Sequence, residues 1–171
     1  MSTGKHCEIE RKYLIRYPDI EALKARQGVE QWEIVQIYLT VPGPGETRRI
    51  RRVTCDGEVR YFKTEKRRLT SLSCVEDEGE IDRQEYERLS AEMQPGCRPL
   101  YKTRYRVPYR GHVLEFDIYP FWQDRAVMEI ELEREDEAAA IPDDVRVIRD
   151  VSADPAYKNR ALAERVVFEE I

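Results

Sequence analysis

Apolar and charged residues alternate along much of this chain, and a period of two is typical of β-strands. Successive side chains of a strand point to opposite faces, so every second residue shares a surface. Residues 8–12 read EIERK, which would place Glu8, Glu10 and Lys12 on one face. By this pattern, and by β-branched or aromatic content, strands are predicted at about 5–16, 32–41, 46–54, 58–68, 72–81, 99–109, 111–120 and 125–135.

Turn and capping residues separate these strands and mark three helices. Asp56-Gly57 and Arg110-Gly111 are typical of the tight hairpins that join antiparallel strands. Helices are predicted after an N-cap at Asp19, after a second N-cap at Asp82, and in the tail at about 155–168.

Many short antiparallel strands in a small protein favour a closed barrel, because closure leaves no exposed strand edge. We therefore expect a mainly β (α+β) fold, a closed eight-stranded antiparallel β-barrel with a few outer helices. No linker or repeat divides the sequence, which predicts a single domain over residues 1–171.

The charged positions of the strands share one face and are segregated by sign. The basic positions are Arg49, Arg51, Lys66, Lys102, Arg104 and Arg106, and the acidic positions are Glu76, Glu78, Glu80, Glu115, Asp117, Glu129, Glu131 and Glu133. A solvated sheet face is the ordinary interpretation of each strand taken alone. Like charges side by side are unfavourable, however, so the segregation indicates a polar barrel interior that receives a polyanion and cations.

Composition narrows the classes of protein that fit this pattern. The 171 residues include 29 Lys and Arg and 34 Asp and Glu, for a net charge of −5, whereas a general nucleic-acid-binding surface requires a basic excess. The four cysteines have no metal-ligand spacing, and no apolar run suits a membrane span or a signal peptide. We expect a cytoplasmic protein with no nucleic-acid or membrane partner.

The charged segments resemble those of the CYTH superfamily, also called triphosphate tunnel metalloenzymes. EIERK is similar to the ExExK signature that opens the family, and the resemblance extends over nearly the full chain. The further matches, in order, are QIYL at 36–39, RIR at 49–51, TEK at 64–66, KTRY at 102–105, EFD at 115–117, EIE at 129–131 and Tyr157-Lys158-Asn159. The resemblance implies an eight-stranded barrel whose interior tunnel is lined with charge.

The resemblance also implies a role for the inward charges. Arginine can fork onto phosphate oxygens and lysine supplies a compact charge, so the implied substrate-binding residues are Lys12, Arg49, Arg51, Lys66, Lys102 and Arg104. Carboxylate oxygens suit Mg²⁺ or Mn²⁺, and the implied metal ligands are Glu8, Glu10, Asp117, Glu129 and Glu131, with Glu76, Glu78 and Glu115 as additions. Tyr38 and Lys102 are the implied catalytic residues, as an interacting pair near the terminal phosphate, with strand packing an equal alternative for Tyr38.

The implied activity is metal-dependent hydrolysis of inorganic triphosphate, a small molecule, to pyrophosphate and phosphate. A class IV type adenylyl cyclase and a thiamine triphosphatase remain alternatives on the same barrel. A polyphosphate- or nucleotide-binding module without catalysis is the non-enzyme alternative, although a pure anion binder gains nothing from inward carboxylates. The family also makes a homodimer an open alternative.

Two positions depart from the family pattern. Cys74 stands where some members carry an arginine, and Lys63 replaces an outward residue that is usually apolar. The first departure bears on contacts with substrate, and the second is interpreted as surface variation.

Trp32 and Trp122 are interpreted as packing residues, and the tail helix as a packed amphipathic helix rather than a lid.

Overall fold

The computed structural model describes residues 4–171 and contains the eight predicted strands in the predicted order, together with a ninth. The strands are β1 (Gly4–Arg16), β2 (Glu30–Leu39), β3 (Glu46–Cys55), β4 (Glu58–Arg68), β5 (Ser73–Ile81), β6 (Leu100–Tyr109), β7 (His112–Ile118), β8 (Arg125–Leu132) and β9 (Val147–Asp150). The strand β9 was not predicted, because its four residues are too few to establish a period of two.

The sheet closes on itself, which confirms the predicted antiparallel barrel. Neighbouring strands follow the order β5-β4-β3-β2-β6-β7-β8-β1, and β1 pairs with β5 to complete the circle. The first half of β1 pairs with β5, and the second half lies between β8 and the added strand β9. The inward residues of β1 therefore lie beside the inward carboxylates of β5 and of β8.

The chain forms three short helices, α1 (Ile20–Lys24), α2 (Arg83–Ser90) and α3 (Asn159–Glu164). Helices α1 and α2 pack on the outside of the barrel, and α3 lies at one of its ends. The predicted N-caps are confirmed, since Asp19 accepts from the backbone N–H of Ala22 at 3.1 Å and Asp82 from that of Glu85 at 2.8 Å. Leu89 of α2 packs on the outward apolar residues of β2 and β3.

The C-terminal helix is shorter than the predicted 155–168. A 3-10 turn at Pro155–Tyr157 precedes it, and the extended backbone of Lys158 separates the turn from α3. The chain becomes extended again at Arg165, and the carbonyl of Val167 accepts a hydrogen bond from Trp122 Nε1 at 2.8 Å. That tertiary contact and the β-branched Val166 and Val167 favour extended backbone over a further helical turn.

The outward faces of β6, β7 and β8 are apolar and buried. Phe116 and Ile130 lie there with zero exposure, in a cluster that α1 and residues 139–145 cover. Inside the barrel, apolar residues occupy the two ends, with charged residues between them. Among residues 4–171, no helix is long and apolar enough to cross a membrane.

Candidate active site

A cavity of about 270 Å³ runs inside the barrel, and inward residues of β1 to β8 line it. The sequence-predicted residues that line it are Glu8, Glu10, Arg49, Arg51, Lys66, Arg104, Glu129 and Glu131, with the additions Glu76, Glu78 and Glu115. Lys12, Tyr38, Lys102 and Asp117 lie on the same inner faces of their strands and are buried. The alternation of side chains along each strand therefore brings the predicted set into one interior.

Strand order, rather than sequence order, decides which charges meet. The acidic strand β5 lies beside the basic strand β4, and the acidic β7 lies beside the basic β6. Bases that were expected to stand together are consequently paired with carboxylates of the next strand. This arrangement lowers the electrostatic cost of collecting many charges inside one barrel.

One network is almost completely buried, and we call it the paired cluster: Lys12, Lys102, Arg104, Asp117 and Glu129. Lys12 Nζ lies 3.2 Å from Glu129 Oε1, and Arg104 Nη2 lies 3.4 Å from Glu129 Oε2. Asp117 accepts from Lys102 Nζ at 2.8 Å and from Arg104 Nε and Nη2 at 2.7 and 2.8 Å. No member is more than 7% exposed, so these charges stabilise one another in a region of little water.

The pKa values in the paired cluster follow from burial and these contacts. Burial opposes ionisation of Glu129, yet its pKa lies well below the usual range because Lys12 and Arg104 stand beside it. The pKa of Asp117 is likewise lowered against burial, by Arg104 and Lys102. Burial and the neighbouring Arg104 lower the pKa of Lys102 to about 8.

A second group of pairs lies on β1, β3, β4 and β5, where the side chains are more accessible. Lys66 Nζ lies 2.6 Å from Glu8 Oε2 and 3.0 Å from Glu76 Oε2. Arg51 Nη2 lies 2.9 Å from Glu78 Oε2. The side chains of Lys66 and Glu8 are 17% and 16% exposed, so an arriving ligand can reach this group.

Three inward charges, Arg49, Glu10 and Glu131, are unpaired, and we call them the unpaired charges. No ion pair within residues 4–171 includes any of them, and Arg49 Nε has no hydrogen-bond partner there. Glu10 and Glu131 are directly opposed in the β1–β8 register. Burial, and then Glu129 and Glu8, raise the pKa of Glu10 to about 7. Partial desolvation of its carboxylate, and then the charge of Glu8, also raise the pKa of Glu131, although the residue is exposed overall.

The carboxylates fit a divalent cation by their chemistry. Hard oxygen donors suit Mg²⁺ and Mn²⁺, and the opposed Glu10 and Glu131 form no ion pair with any residue that the structure describes. Within residues 4–171, however, no three His, Cys, Asp or Glu side chains stand close enough together to hold a metal ion as they are. Both oxygens of Asp117 already accept hydrogen bonds, which makes this residue the least available of the predicted ligands.

The predicted catalytic residues have other partners. Tyr38 accepts a hydrogen bond from Gln36 Nε2 at 2.7 Å, and Lys102 donates to Asp117. Neither contact joins Tyr38 to Lys102. Both are buried near the end of the barrel that the C-terminal segment covers.

The two ends of the tunnel differ. At the closed end, Lys12 Nζ donates to the carbonyl of Tyr157 at 3.3 Å, and Tyr119 donates to Asn159 beside the cavity. At the other end, which we call the mouth, Arg106 and Glu115 are 29% and 21% exposed and Glu131 is exposed. The mouth is therefore the accessible side of the cavity.

Sequence reasoning missed three residues that contribute to this interior. Trp32 and Gln36 share the parity of Tyr38 along β2, and that signal places them inside. Trp32 indeed lines the cavity, in addition to the packing role predicted for it. Asn159 reaches the cavity from the C-terminal segment, where no periodic signal exists. Cys74, the departure from the family pattern, lies with Sγ 3.4 Å from Glu8 Oε2.

Comparison with known proteins identifies the family. The model of the CYTH domain matches residues 6–165, so the chain belongs to the CYTH family. The crystal structure of the inorganic triphosphatase NE1496 is similar, with 29% identity, coverage of 97% of each chain and a TM-score of 0.56.

More distant structures share the fold. PH1819 from Pyrococcus horikoshii OT3 has 22% identity, coverage of 75% of this chain and 80% of the other, and a TM-score of 0.59. A putative adenylate cyclase from Bacillus halodurans has 19% identity, coverage of 78% and 84%, and a TM-score of 0.53. A search of curated proteins found no match.

Proposed function

We propose that this protein hydrolyses inorganic triphosphate to pyrophosphate and phosphate in a reaction that depends on a divalent metal ion. The observation that carries the proposal is the coexistence of unpaired charges of both signs in one tunnel. Among the residues that the structure describes, Arg49 forms no ion pair with a carboxylate, and the opposed Glu10 and Glu131 form none with a cation. An anion chelated to a metal ion would satisfy both needs at once.

The balance of charge inside the tunnel also favours a chelated anion over a bare one. Most bases are already neutralised by carboxylates, as in the pairs of Lys66 with Glu8 and of Arg51 with Glu78. A bare polyanion would therefore meet strong repulsion from the carboxylates. With its charge partly neutralised, the same anion could exchange places with Glu8 and Glu78 at these bases.

In this proposal, the chain's own residues bind and orient the substrate. Arg49, Arg51 and Lys66 bind phosphate oxygens along one wall, through hydrogen bonds that are strong because both partners are charged. Lys12, Lys102 and Arg104 supply positive charge at the buried wall, where Lys102 and Arg104 retain Asp117 as their partner. Positioning and charge stabilisation then supply most of the catalysis, as is general for phosphoryl transfer.

Glu8, Glu10, Glu129 and Glu131 would hold the metal ion. When bound, Mg²⁺ or Mn²⁺ would neutralise charge on the phosphate oxygens as a Lewis acid. Asp117 is proposed to act mainly by holding Lys102 and Arg104 in place, since its two oxygens are occupied. Tyr38 and Lys102 are proposed to contact the terminal phosphoryl group at the closed end.

Family membership and one similar structure support the substrate. NE1496 is described as an inorganic triphosphatase and matches this chain over 97% of its length. The cavity of about 270 Å³ is smaller than the roughly 300–1,000 Å³ of pockets that enclose drug-sized ligands. A small substrate without an organic group suits a cavity of this size.

Phosphate release is the first experiment. Purified protein with Mg²⁺ or Mn²⁺ is expected to release phosphate from triphosphate much faster than from ATP or thiamine triphosphate, to leave pyrophosphate intact, and to lose activity in EDTA. Cyclic AMP formed from ATP would select the cyclase instead, and faster cleavage of thiamine triphosphate would select that alternative. Tight triphosphate binding without product under any metal would select the binding module.

A further inference from the structure

The indole ring of Trp32 stands at the mouth of the tunnel and is held on several sides. Its Nε1 donates to Glu30 Oε2 at 2.9 Å, and the guanidinium carbon of Arg106 lies 4.5 Å from the ring centroid. Arg106 is itself fixed by Glu30 at 3.3 Å and by Glu115 at 3.1 Å. Trp32 is only 9% exposed although it lines the cavity.

The ring is therefore occupied where a flat ligand would have to stack. Arg106 covers the ring, and Ile34, Val53 and Phe62 pack against it inside the barrel. A purine needs an accessible aromatic face for stacking, and Trp32 does not offer one. The ring instead fills space that a nucleoside attached to the triphosphate would require.

The charged residues at the mouth also disfavour binding of a nucleotide. Glu30 accepts a hydrogen bond from the indole, and Glu115 lines the cavity beside Arg106, so a group that follows the phosphates meets carboxylates at this point. Inorganic triphosphate carries no such group and requires no contact with the indole. A nucleotide would have to displace an ordered side chain and leave Glu30 and Arg106 partly unpaired.

We propose that Trp32, held by Glu30 and Arg106, is a specificity-determining residue that excludes organic triphosphates from the tunnel. The inference rests on the proposed binding of triphosphate in this tunnel and deepens it by naming what rejects nucleotides. Substitution of Trp32 distinguishes this role from that of a stacking platform. Loss of a platform would weaken ATP binding, whereas loss of an obstacle strengthens it.

The test compares the dissociation constants of ATP and inorganic triphosphate in wild type and Trp32→Ala, by calorimetry with Mg²⁺ present and with analogues of both anions whose bridging oxygens are replaced by methylene groups, so that the metal-bound anions are studied without turnover. The ratio of the ATP constant to the triphosphate constant is expected to fall at least about tenfold in Trp32→Ala, the discrimination that a small change in pocket shape typically supplies. Tyr101→Ala removes an exposed aromatic ring from the outer face of β6 and should leave the ratio unchanged. Because Trp32 packs inside the barrel, Trp32→Phe serves as a second variant that retains most of the packing and should shift the ratio in the same direction by less.

An unchanged ratio in both variants, or weaker ATP binding relative to triphosphate, would overturn the inference. The proposed function is judged separately, by phosphate release from triphosphate by the wild type with metal. A wild type that hydrolyses triphosphate while Trp32→Ala keeps its discrimination would defeat the role of Trp32 alone. A wild type that binds neither anion would defeat both proposals.

Discussion

Inside the tunnel, the paired cluster and the unpaired charges differ in how their charge is satisfied. Asp117 accepts three hydrogen bonds from Lys102 and Arg104 and has no exposed surface. Glu10 and Arg49, by contrast, have no ion-pair partner within residues 4–171. Residues of the same chemical type thus have different uses, because a saturated carboxylate holds its neighbours and an unsatisfied one remains free to bind.

The two sets also differ in the free-energy cost of a substitution. Breaking a buried ion pair leaves an uncompensated charge, which costs several kcal/mol, whereas removing a charge that was never paired relieves desolvation. Substitutions in the paired cluster should therefore reduce mainly the stability of the fold, and substitutions of the unpaired charges should reduce mainly ligand binding.

The largest effect is expected from Asp117→Asn, which keeps the shape of the side chain and removes its charge. Lys102 and Arg104 then lose their common partner, and the free energy of unfolding should fall by about 3–5 kcal/mol. Urea denaturation without metal measures it. Glu80→Gln is the matched control, since Glu80 forms a two-point contact with Arg60 at 3.1 and 2.6 Å on the surface, and its urea midpoint should not change. Equal sensitivity of both variants would contradict the distinction.

Arg49→Gln should show the reverse pattern, with a large loss of binding and little loss of stability. The guanidinium has no ion pair to break, but a charge-assisted contact with phosphate is worth about 1.5–3 kcal/mol, or roughly tenfold to a hundredfold in the dissociation constant. Calorimetric titration with triphosphate checks this. Arg52→Gln on the outer face of β3 is the control and should bind as wild type does. Wild-type affinity in Arg49→Gln would remove Arg49 from the site.

A smaller effect, at least about tenfold in affinity, is expected for Mn²⁺ binding by Glu10→Gln, since an oxygen ligand loses its charge. Stability without metal should be retained, because Glu10 holds no partner in place. Asp77→Asn, on the outer face of β5, should bind Mn²⁺ as wild type does. Titration followed by the paramagnetic signal of free Mn²⁺ gives both constants, and equal affinities would exclude Glu10 as a ligand.

Much of this arrangement could be predicted from the sequence, because strand alternation is a local property. The parity of Glu8, Glu10 and Lys12 predicted a shared face, and the outward burial of Phe116 and Ile130 confirms the complementary apolar face. The ion pairs could not be predicted, because they depend on which strands are neighbours. Arg104 and Asp117 are 13 positions apart and meet only through the β6–β7 register.

The C-terminal segment limited the prediction for a different reason. The spacing of its apolar residues is helical, but that signal reports only local preference. The hydrogen bond from Trp122 to the Val167 carbonyl is a tertiary contact, and it accompanies the early end of the helix. The position of Asn159 beside the tunnel also depends on how that segment folds back on the barrel. Tertiary contacts of this kind leave no period in the sequence.

The central claim, that the unpaired charges form the binding site for a metal-chelated triphosphate, can be tested most directly by a crystal structure with Mn²⁺ and triphosphate. We expect an anomalous Mn²⁺ peak beside Glu10 and Glu131, phosphate oxygens on Arg49, and Asp117 still bound to Lys102 and Arg104. Triphosphate bound outside the barrel, or inside it with Arg49 and Glu10 left untouched, would contradict the claim.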